Sequence, residues 1–425
     1  MPSSAAGRRS LRVMLPTLGS AGDVHPFVAL GLALRSRGHQ ATILTNPLFQ
    51  PLIESQGLGF LPVLTAEDAA VTMADPDLWD ARKGFSVVAK RVIIPAIAEV
   101  YRLIEAHADS DTVVAASSIS FGARLAQERL GLPTATIHLQ PIVLLSLIEQ
   151  GVMGSFRFSA AQPMWLKKAL FELVDWATID RVLKPPLNRF RATLGLPPVS
   201  RVLYRWIHSP QCVIAFFPEW FAPPQEDWPP RTHLVGFPLW DGGAQATLAQ
   251  EVEEFLSAGD APIIFTAGSA AATMRRFFVE SIETARRLKA RAMLVTNFPR
   301  QLPSELPPEV RAFGYLPFGN VLPRAALLVY HGGIGTMAQT INAGVPHLVV
   351  PSSHDQFDNG WRLEQLGLGR AIPRKRFHAG AATRAISEIL GDEAIAARCR
   401  DYVGRIDSAS ALTRACKLIE GLAGP

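Results

Sequence analysis

Cysteine is scarce. The 425-residue chain has three, Cys212, Cys399 and Cys416, far apart and odd in number. Neither a disulfide frame nor a Cys-x-x-Cys metal knuckle can be built from them, and the count suits a reducing cytoplasm. Long apolar runs are missing too. Arg8, Arg9 and Arg12 open the chain, but the apolar stretch behind them, 13–18, is too short for the core of a signal peptide. The run at 142–148 falls far below the ~20 residues that cross a bilayer. A soluble protein, at most peripheral to the inner face of a membrane, is expected. Charge is modest, 42 Lys and Arg against 37 Asp and Glu, a net +5. The densest basic stretch, Arg370 to Arg376, has no interleaved aromatics, which argues against nucleic acid and for an anionic small ligand or membrane face. The hydrolase signatures Gly-x-Ser-x-Gly and His-Glu-x-x-His are absent. The Asp-x-Asp strings Asp75-Pro-Asp77 and Asp109-Ser-Asp111 do not follow apolar strands. They read as hydrated surface turns, so no residue is assigned to a metal.

What is present is a chain 48% hydrophobic, long enough for two large domains or three small ones. Short apolar runs without alternation recur at 13–18, 41–45, 60–63, 112–115, 134–137 and 212–216, and again at 262–266, 292–296, 310–313, 327–330 and 347–350. Helical patterns separate them, the first predicted over 27–37 with Gly38 as its stop. Such strands are buried on both faces of a parallel sheet, and the class is α/β. Six prolines between 218 and 238, followed by Asp241-Gly-Gly243, mark the joint. Two Rossmann-like domains are expected, 1–240 and 241–425, with a helical tail that could pack back on the first. Between them in character is 142–186, which holds Met153, Phe156, Phe158, Met164, Trp165, Leu170, Phe171 and Trp176 without strand periodicity. It reads either as core or as the wall of an apolar pocket.

The strongest chemical signal is the strand at 327–330 running into His331-Gly-Gly-Ile-Gly-Thr336. Glycines let the backbone approach a ligand, and free N–H groups at a helix start carry about half a positive charge. Thr336 adds a hydroxyl and His331 an imidazole, so an anion site is expected. Gly333, Gly335 and Ala338 also satisfy Gly-x-Gly-x-x-Ala, but no acid ends the next strand, which weakens a dinucleotide reading. Gly344-Val-Pro346 and His354-Asp-Gln-Phe-Asp-Asn359 follow. They place the carboxylate of Asp355 beside the amide of Gln356, a pair suited to ring hydroxyls. Phosphate beside polyol is a nucleotide sugar.

These motifs resemble the donor signature of the family 1 inverting glycosyltransferases of GT-B fold, and Gly19-Ser-Ala-Gly-Asp-Val-His-Pro26 resembles their acceptor-side loop. The resemblance spans roughly 12–400. It implies two Rossmann-like domains facing across a cleft, and a nucleotide-sugar donor as substrate with no other cofactor. His331, Gly333, Gly335 and Thr336, with Ser269 on the facing loop, would meet the pyrophosphate, and Asp355 and Gln356 the sugar. Tyr315, with Leu316, stands where relatives put an aromatic against the base. Gln339 replaces the acid that often chelates both ribose hydroxyls, which favours a dTDP-sugar over a UDP-sugar. Asp23 falls at the position of the catalytic base that removes the acceptor proton. It reads alternatively as the cap of a helix starting at 24 or 25, and His25 is a competing base.

Ser20, Gly22, His25, Trp165 and Trp176 are the expected acceptor contacts. The blocks around Trp206, from Phe217 to Pro229 and from Gly236 to Gly242 resemble the rhamnosyltransferases that make rhamnolipids. That implies transfer of L-rhamnose from dTDP-rhamnose to a hydroxyalkanoyloxyalkanoate. The alternatives are a UDP-glucose-dependent enzyme acting on a sterol or polyketide, a nucleotide-sugar epimerase, and a non-catalytic helper that keeps only the shell.

Overall fold

The computed structural model describes residues 10–149, 151–152, 162–240, 242 and 248–424. Asp241, Gly243, Met153, Phe156 and Phe158, named above, lie outside the described residues. The first sheet comprises β1 (Arg12–Pro16), β2 (Gln40–Thr45), β3 (Gly59–Pro62), β4 (Thr112–Ser117), β5 (Thr134–His138), β6 (Cys212–Ala215) and β7 (Thr232–Leu234). The second comprises β8 (Ile263–Thr266), β9 (Ala292–Val295), β10 (Val310–Phe313), β11 (Leu327–Tyr330), β12 (His347–Val349) and β13 (Gly369–Ala371). Strand orders are β3-β2-β1-β4-β5-β6-β7 and β10-β9-β8-β11-β12-β13, and every pairing is parallel. Both are doubly wound Rossmann-like sheets, in which ligands bind beyond the carboxyl ends of the strands.

The absence of alternation in the strands has its cause in burial on both faces. Val13 and Leu15 of β1 pack into one core with Ile43, Val113 and Ile137. Met14, between them, packs into a second core with Leu44 and Val114 on the opposite face. Each such side chain contributes roughly 1.5–3 kcal/mol by leaving water. The short edge strands β7 and β13 had no apolar signal in the sequence, because Thr232 and Arg370 are tolerated where one side of a strand meets solvent.

Five helices position the site: α1 (Ala21–Ser36), α2 (Met164–Val174), α3 (Ile334–Asn342), α4 (Gln356–Leu366) and α5 (Ser408–Leu422). The tail helix α5 lies on the N-terminal half. Glu420 accepts from Arg37 Nε at 2.6 Å and Nη2 at 2.7 Å, and its Oε1 lies 2.9 Å from His39 Nε2. Leu239 N donates to Ser408 Oγ at 2.9 Å. One apolar cluster includes residues of both sheets, from Val13 to Leu348.

Candidate active site

Helix α1 begins at Ala21, six residues before the predicted start, so the acceptor-side loop is shorter than expected. Pro26 lies inside this helix, as its sixth residue, and leaves Gly22 O without the usual donor from four residues on. Ser20 is the N-cap, and Asp23, three residues on, folds back over it. Asp23 Oδ2 accepts from Ser20 N at 2.8 Å and from Ser20 Oγ at 3.1 Å. The helix therefore starts at Ala21 rather than at 24 or 25, and Asp23 serves its first turn from inside. Gly19, at φ +128°, has no room for a side chain, since a Cβ would sit 2.3 Å from Asp23 Oδ2. Asp23 Oδ1 takes part in none of the described hydrogen bonds, which leaves one oxygen of a fixed carboxylate for a ligand. Burial pushes the carboxyl of Asp23 up, against the opposing effect of its two bonds to Ser20. Ser20 is half-buried and Gly22 exposed beside it. His25 turns away: its ring packs edge-on against Trp240, centroids 5.0 Å apart, toward the joint between the halves.

On the other half, β11 delivers His331 into a cage of backbone. A Cβ on Gly268 (φ +97°) would lie 2.8 Å from the His331 ring, and one on Gly333 would lie 2.5 Å from its Nε2. Burial holds the imidazole down at about 4, so it is neutral near pH 7, and its Nδ1 has no hydrogen-bond partner among the described residues. Gly333 is the N-cap of α3 and no side chain caps that helix. The N–H groups of its first turn are thus available, as an anion site requires. Around Gly335 nothing lies within 4 Å of a would-be Cβ. Thr336 stands half-buried at this opening.

Asp355 is the N-cap residue of α4 and Gln356 its first residue. Asn359 ties the start of α4 to the glycine turn after β11, since its Nδ2 donates to Asp355 Oδ2 at 2.6 Å and to Gly332 O at 2.9 Å. Gln356 is only 2% exposed. Its Oε1 accepts from Ser352 N, Ser352 Oγ and Ser353 N at 2.9, 3.0 and 3.2 Å. That oxygen builds the turn, so the amide nitrogen of Gln356 remains as the expected donor to a sugar hydroxyl and Asp355 as the expected acceptor. The Asp355 carboxyl is pushed up to about 7, first by burial and then by the charge of Asp23. The loop that carries Asp23 and the start of α4 therefore come near enough for the two carboxylates to repel.

Ser269 is exposed on the loop after β8. After β10, Tyr315 is 57% exposed and Leu316 is buried. Gln339 lies one turn behind Thr336 on α3, and its Oε1 is buried with no protein partner. Trp165 and Trp176 do not wall an enclosed slot. They are 71% and 66% exposed, because α2 and the turn after it put Lys167, Phe171 and Asp175 inward instead. In the Asp-x-Asp strings, Asp75 and Asp109 accept from the N–H two residues on, Asp77 and Asp111 at 3.0 Å each. Among the described residues no three His, Cys, Asp or Glu side chains converge as metal ligands would.

Two contributors had been missed. Trp79 and Leu78, from the N-terminal half, lie against the donor loops: His354 Nε2 lies 3.1 Å from Leu78 O, and Trp79 Nε1 donates to Ala270 O at 3.4 Å. Asn359 was visible as the residue ending a motif, but its double donation could not be read from spacing.

Residues 13–144 match the glycosyltransferase family 28 N-terminal domain, and residues 287–408 the C-terminal domain of the erythromycin biosynthesis protein CIII-like family. O-mycaminosyltylonolide 6-deoxyallosyltransferase of Streptomyces fradiae is 29% identical, over 96% of this chain and 97% of its own length. Sterol 3-beta-glucosyltransferase of Candida albicans is 28% identical over 86% of this chain, which spans only 25% of that larger protein. Among solved structures, the glycotransferase of kitacinnamycin superposes with a TM-score of 0.74 at 20% identity, covering 97% of this chain and 99% of that one. A spinosyn rhamnosyltransferase complexed with thymidine diphosphate superposes at 0.66, also at 20% identity, covering 96% and 100%. With matches to a glycosyltransferase N-terminal domain over 13–144 and to a CIII-like C-terminal domain over 287–408, and with two parallel Rossmann-like sheets of GT-B type, this chain is a glycosyltransferase.

Proposed function

We propose that the enzyme transfers a deoxyhexose, L-rhamnose in the favoured reading, from a dTDP-sugar to a hydroxyl of a lipophilic acceptor, with inversion and without a metal. The observation that carries this is the convergence of Asp23 with Asp355, which brings a lone base against the sugar-side carboxylate. Residues 1–240 form the acceptor-binding half and 241–425 the donor-binding half. Asp23 Oδ1 takes the acceptor proton as the acceptor oxygen bonds to the anomeric carbon. The bond from that carbon to the phosphate oxygen breaks, and the nucleoside diphosphate leaves. Its charge is met by the open N-terminus of α3, by the Thr336 hydroxyl and by an N–H of neutral His331, which is preorganised electrostatic stabilisation. Asp355 orients the sugar.

The relative from Streptomyces fradiae supports a 6-deoxy sugar by its name. Gln339 supports deoxyribose, since a carboxylate is the better acceptor for a ribose cis-diol. The rhamnolipid precursor, a hydroxyalkanoyloxyalkanoate, is the acceptor favoured by the sequence blocks at 217–229 and 236–242. A UDP-glucose-dependent enzyme acting on a sterol is the second reading, favoured by the fungal sterol glucosyltransferases. A non-catalytic helper would have no use for both the base and the sugar-binding carboxylate.

The test is turnover of dTDP-rhamnose and UDP-glucose with a hydroxyalkanoyloxyalkanoate and with a sterol, in wild type and Asp23→Asn. The variant should lose transfer while binding dTDP as before. Retained turnover in it would remove Asp23 from the mechanism. Preference for UDP-glucose and the sterol would replace the first reading by the second.

A further inference from the structure

Helix α2 and the turn behind it carry large apolar side chains on the outward face as well as toward the core. In a surface helix the apolar stripe faces the core. Here the inward positions are Lys167, Phe171 and Asp175, the last partly protonated at about 6 because burial and neighbouring Asp180 both oppose its charge. The outward positions are Trp165, Leu173 and Trp176, of which Leu173 is 57% exposed. Spacings of eight and three residues put these three on one face. The inward face is anchored: Phe171 packs on Tyr204, ring centroids 5.0 Å apart, so the orientation of the helix is set by real contacts.

The chain around this face is rich in cations. Between 162 and 205 there are eight Lys and Arg against three Asp and Glu. Asp175 and Asp180 are buried, and Glu172 is paired with Arg201 at 2.7 Å. Lys168, Arg181 and Arg205 are exposed, and no carboxylate partner is described for any of them. Two indoles and a leucine, with exposed cations on the same helix and in the chain around it, match the headgroup region of an anionic bilayer, where amphipathic rings and basic residues collect. None of the described helices is long and apolar enough to cross a membrane, so such contact would lie in the interface plane.

We propose that the α2 face docks the enzyme on an anionic lipid surface, with Trp165, Leu173 and Trp176 seated among the headgroups and Lys168, Arg181 and Arg205 over lipid phosphates. This is independent of which acceptor the enzyme uses.

The test is co-sedimentation of the full chain with vesicles of equal parts phosphatidylglycerol and phosphatidylcholine, and with phosphatidylcholine alone. Indole fluorescence and light scattering are recorded in parallel. Wild type should pellet with the anionic vesicles, shift its emission to the blue and come off in salt. Trp165→Ser with Trp176→Ser should weaken binding roughly tenfold or more. Lys168→Glu with Arg205→Glu should remove the preference for anionic lipid. Both variants should keep the wild-type melting temperature, because every altered side chain is exposed. Three results overturn the proposal: wild type stays in the supernatant, the tryptophan variant binds as tightly, or wild type is a dimer that this variant dissolves without any vesicle binding.

Discussion

Trp79 stands edge-on to His331, ring centroids 6.5 Å apart, and edge-on to His354 at 5.6 Å. It belongs to the N-terminal half, both histidines to the other. With its indole N–H on Ala270 O, it joins the loop that carries Ser269 to the His331 imidazole. An edge-on ring contact contributes about 0.5–1.5 kcal/mol and a hydrogen bond about 1 kcal/mol. Trp79→Ala should therefore raise the donor KM by roughly tenfold to thirtyfold, with a smaller change in kcat. Trp79→Phe keeps a ring and loses the N–H, and should fall between. Steady-state kinetics at saturating acceptor decide it, and equal loss of kcat and affinity in both variants would show mere unfolding.

The repulsion between Asp23 and Asp355 has a pH signature. The folded chain keeps a proton on Asp355 up to about pH 7, whereas the unfolded chain releases it near 3.8. Between those values the native state binds more protons than the unfolded one, so this group makes stability fall as pH rises. Asp355→Asn keeps an acceptor for Asn359 and removes the charge. It should stabilise the protein at pH 8 by on the order of 1–3 kcal/mol, and change little at pH 4. Asp23→Asn should do part of the same, because burial alone still raises Asp355. Urea unfolding at the two pH values measures both, and a pH-independent effect of Asp355→Asn would contradict the assignment.

The proposed preference for a dTDP-sugar can be tested at Gln339. Its side-chain oxygen is buried without a protein partner, one turn behind Thr336. Gln339→Glu puts a stronger acceptor there and should shift the ratio of kcat/KM for UDP-sugar over dTDP-sugar upward by roughly tenfold, the worth of one charge-assisted hydrogen bond. Competition of UDP and dTDP in calorimetry reads the same shift without turnover. An unchanged ratio would detach Gln339 from the ribose.

Much of this was legible beforehand, for a physical reason. Strands such as Val13 to Pro16 are buried on both faces, so they read as uninterrupted apolar runs. The turn from His331 to Thr336 announces itself because a strand, a glycine cluster and a helix start cannot share six residues for many purposes. What failed was of another kind. The first turn of α1 hid in a loop-like string, since glycine and proline normally break helices and the Ser20–Asp23 contact that starts it is a matter of three-dimensional fit. Trp165 and Trp176 read as pocket wall because apolar residues are ordinarily enclosed. Only tertiary contacts at Phe171 and Asp175 reveal which way α2 faces. Trp79 had no local pattern at all, because its partners are some two hundred residues away.

Two glycines in the phosphate turn separate folding from binding. Gly332 adopts φ +95°, and a Cβ there would lie 2.8 Å from Val349 Cγ1 and 3.1 Å from the backbone oxygen of Gln356. Gly332→Ala therefore meets both strain and a clash with main chain, a cost of about 2–4 kcal/mol that should appear as a lower urea midpoint. Gly335 meets neither: its backbone is helical and the space beside it is open. Alanine there is the better helix former by roughly 0.5–1 kcal/mol, so Gly335→Ala should melt no earlier than wild type. Its methyl group would nevertheless stand where a diphosphate approaches the first N–H groups of α3. The expected result is intact stability with dTDP affinity reduced roughly tenfold or more, measured by calorimetry. Undiminished affinity in that variant would move the diphosphate away from this helix.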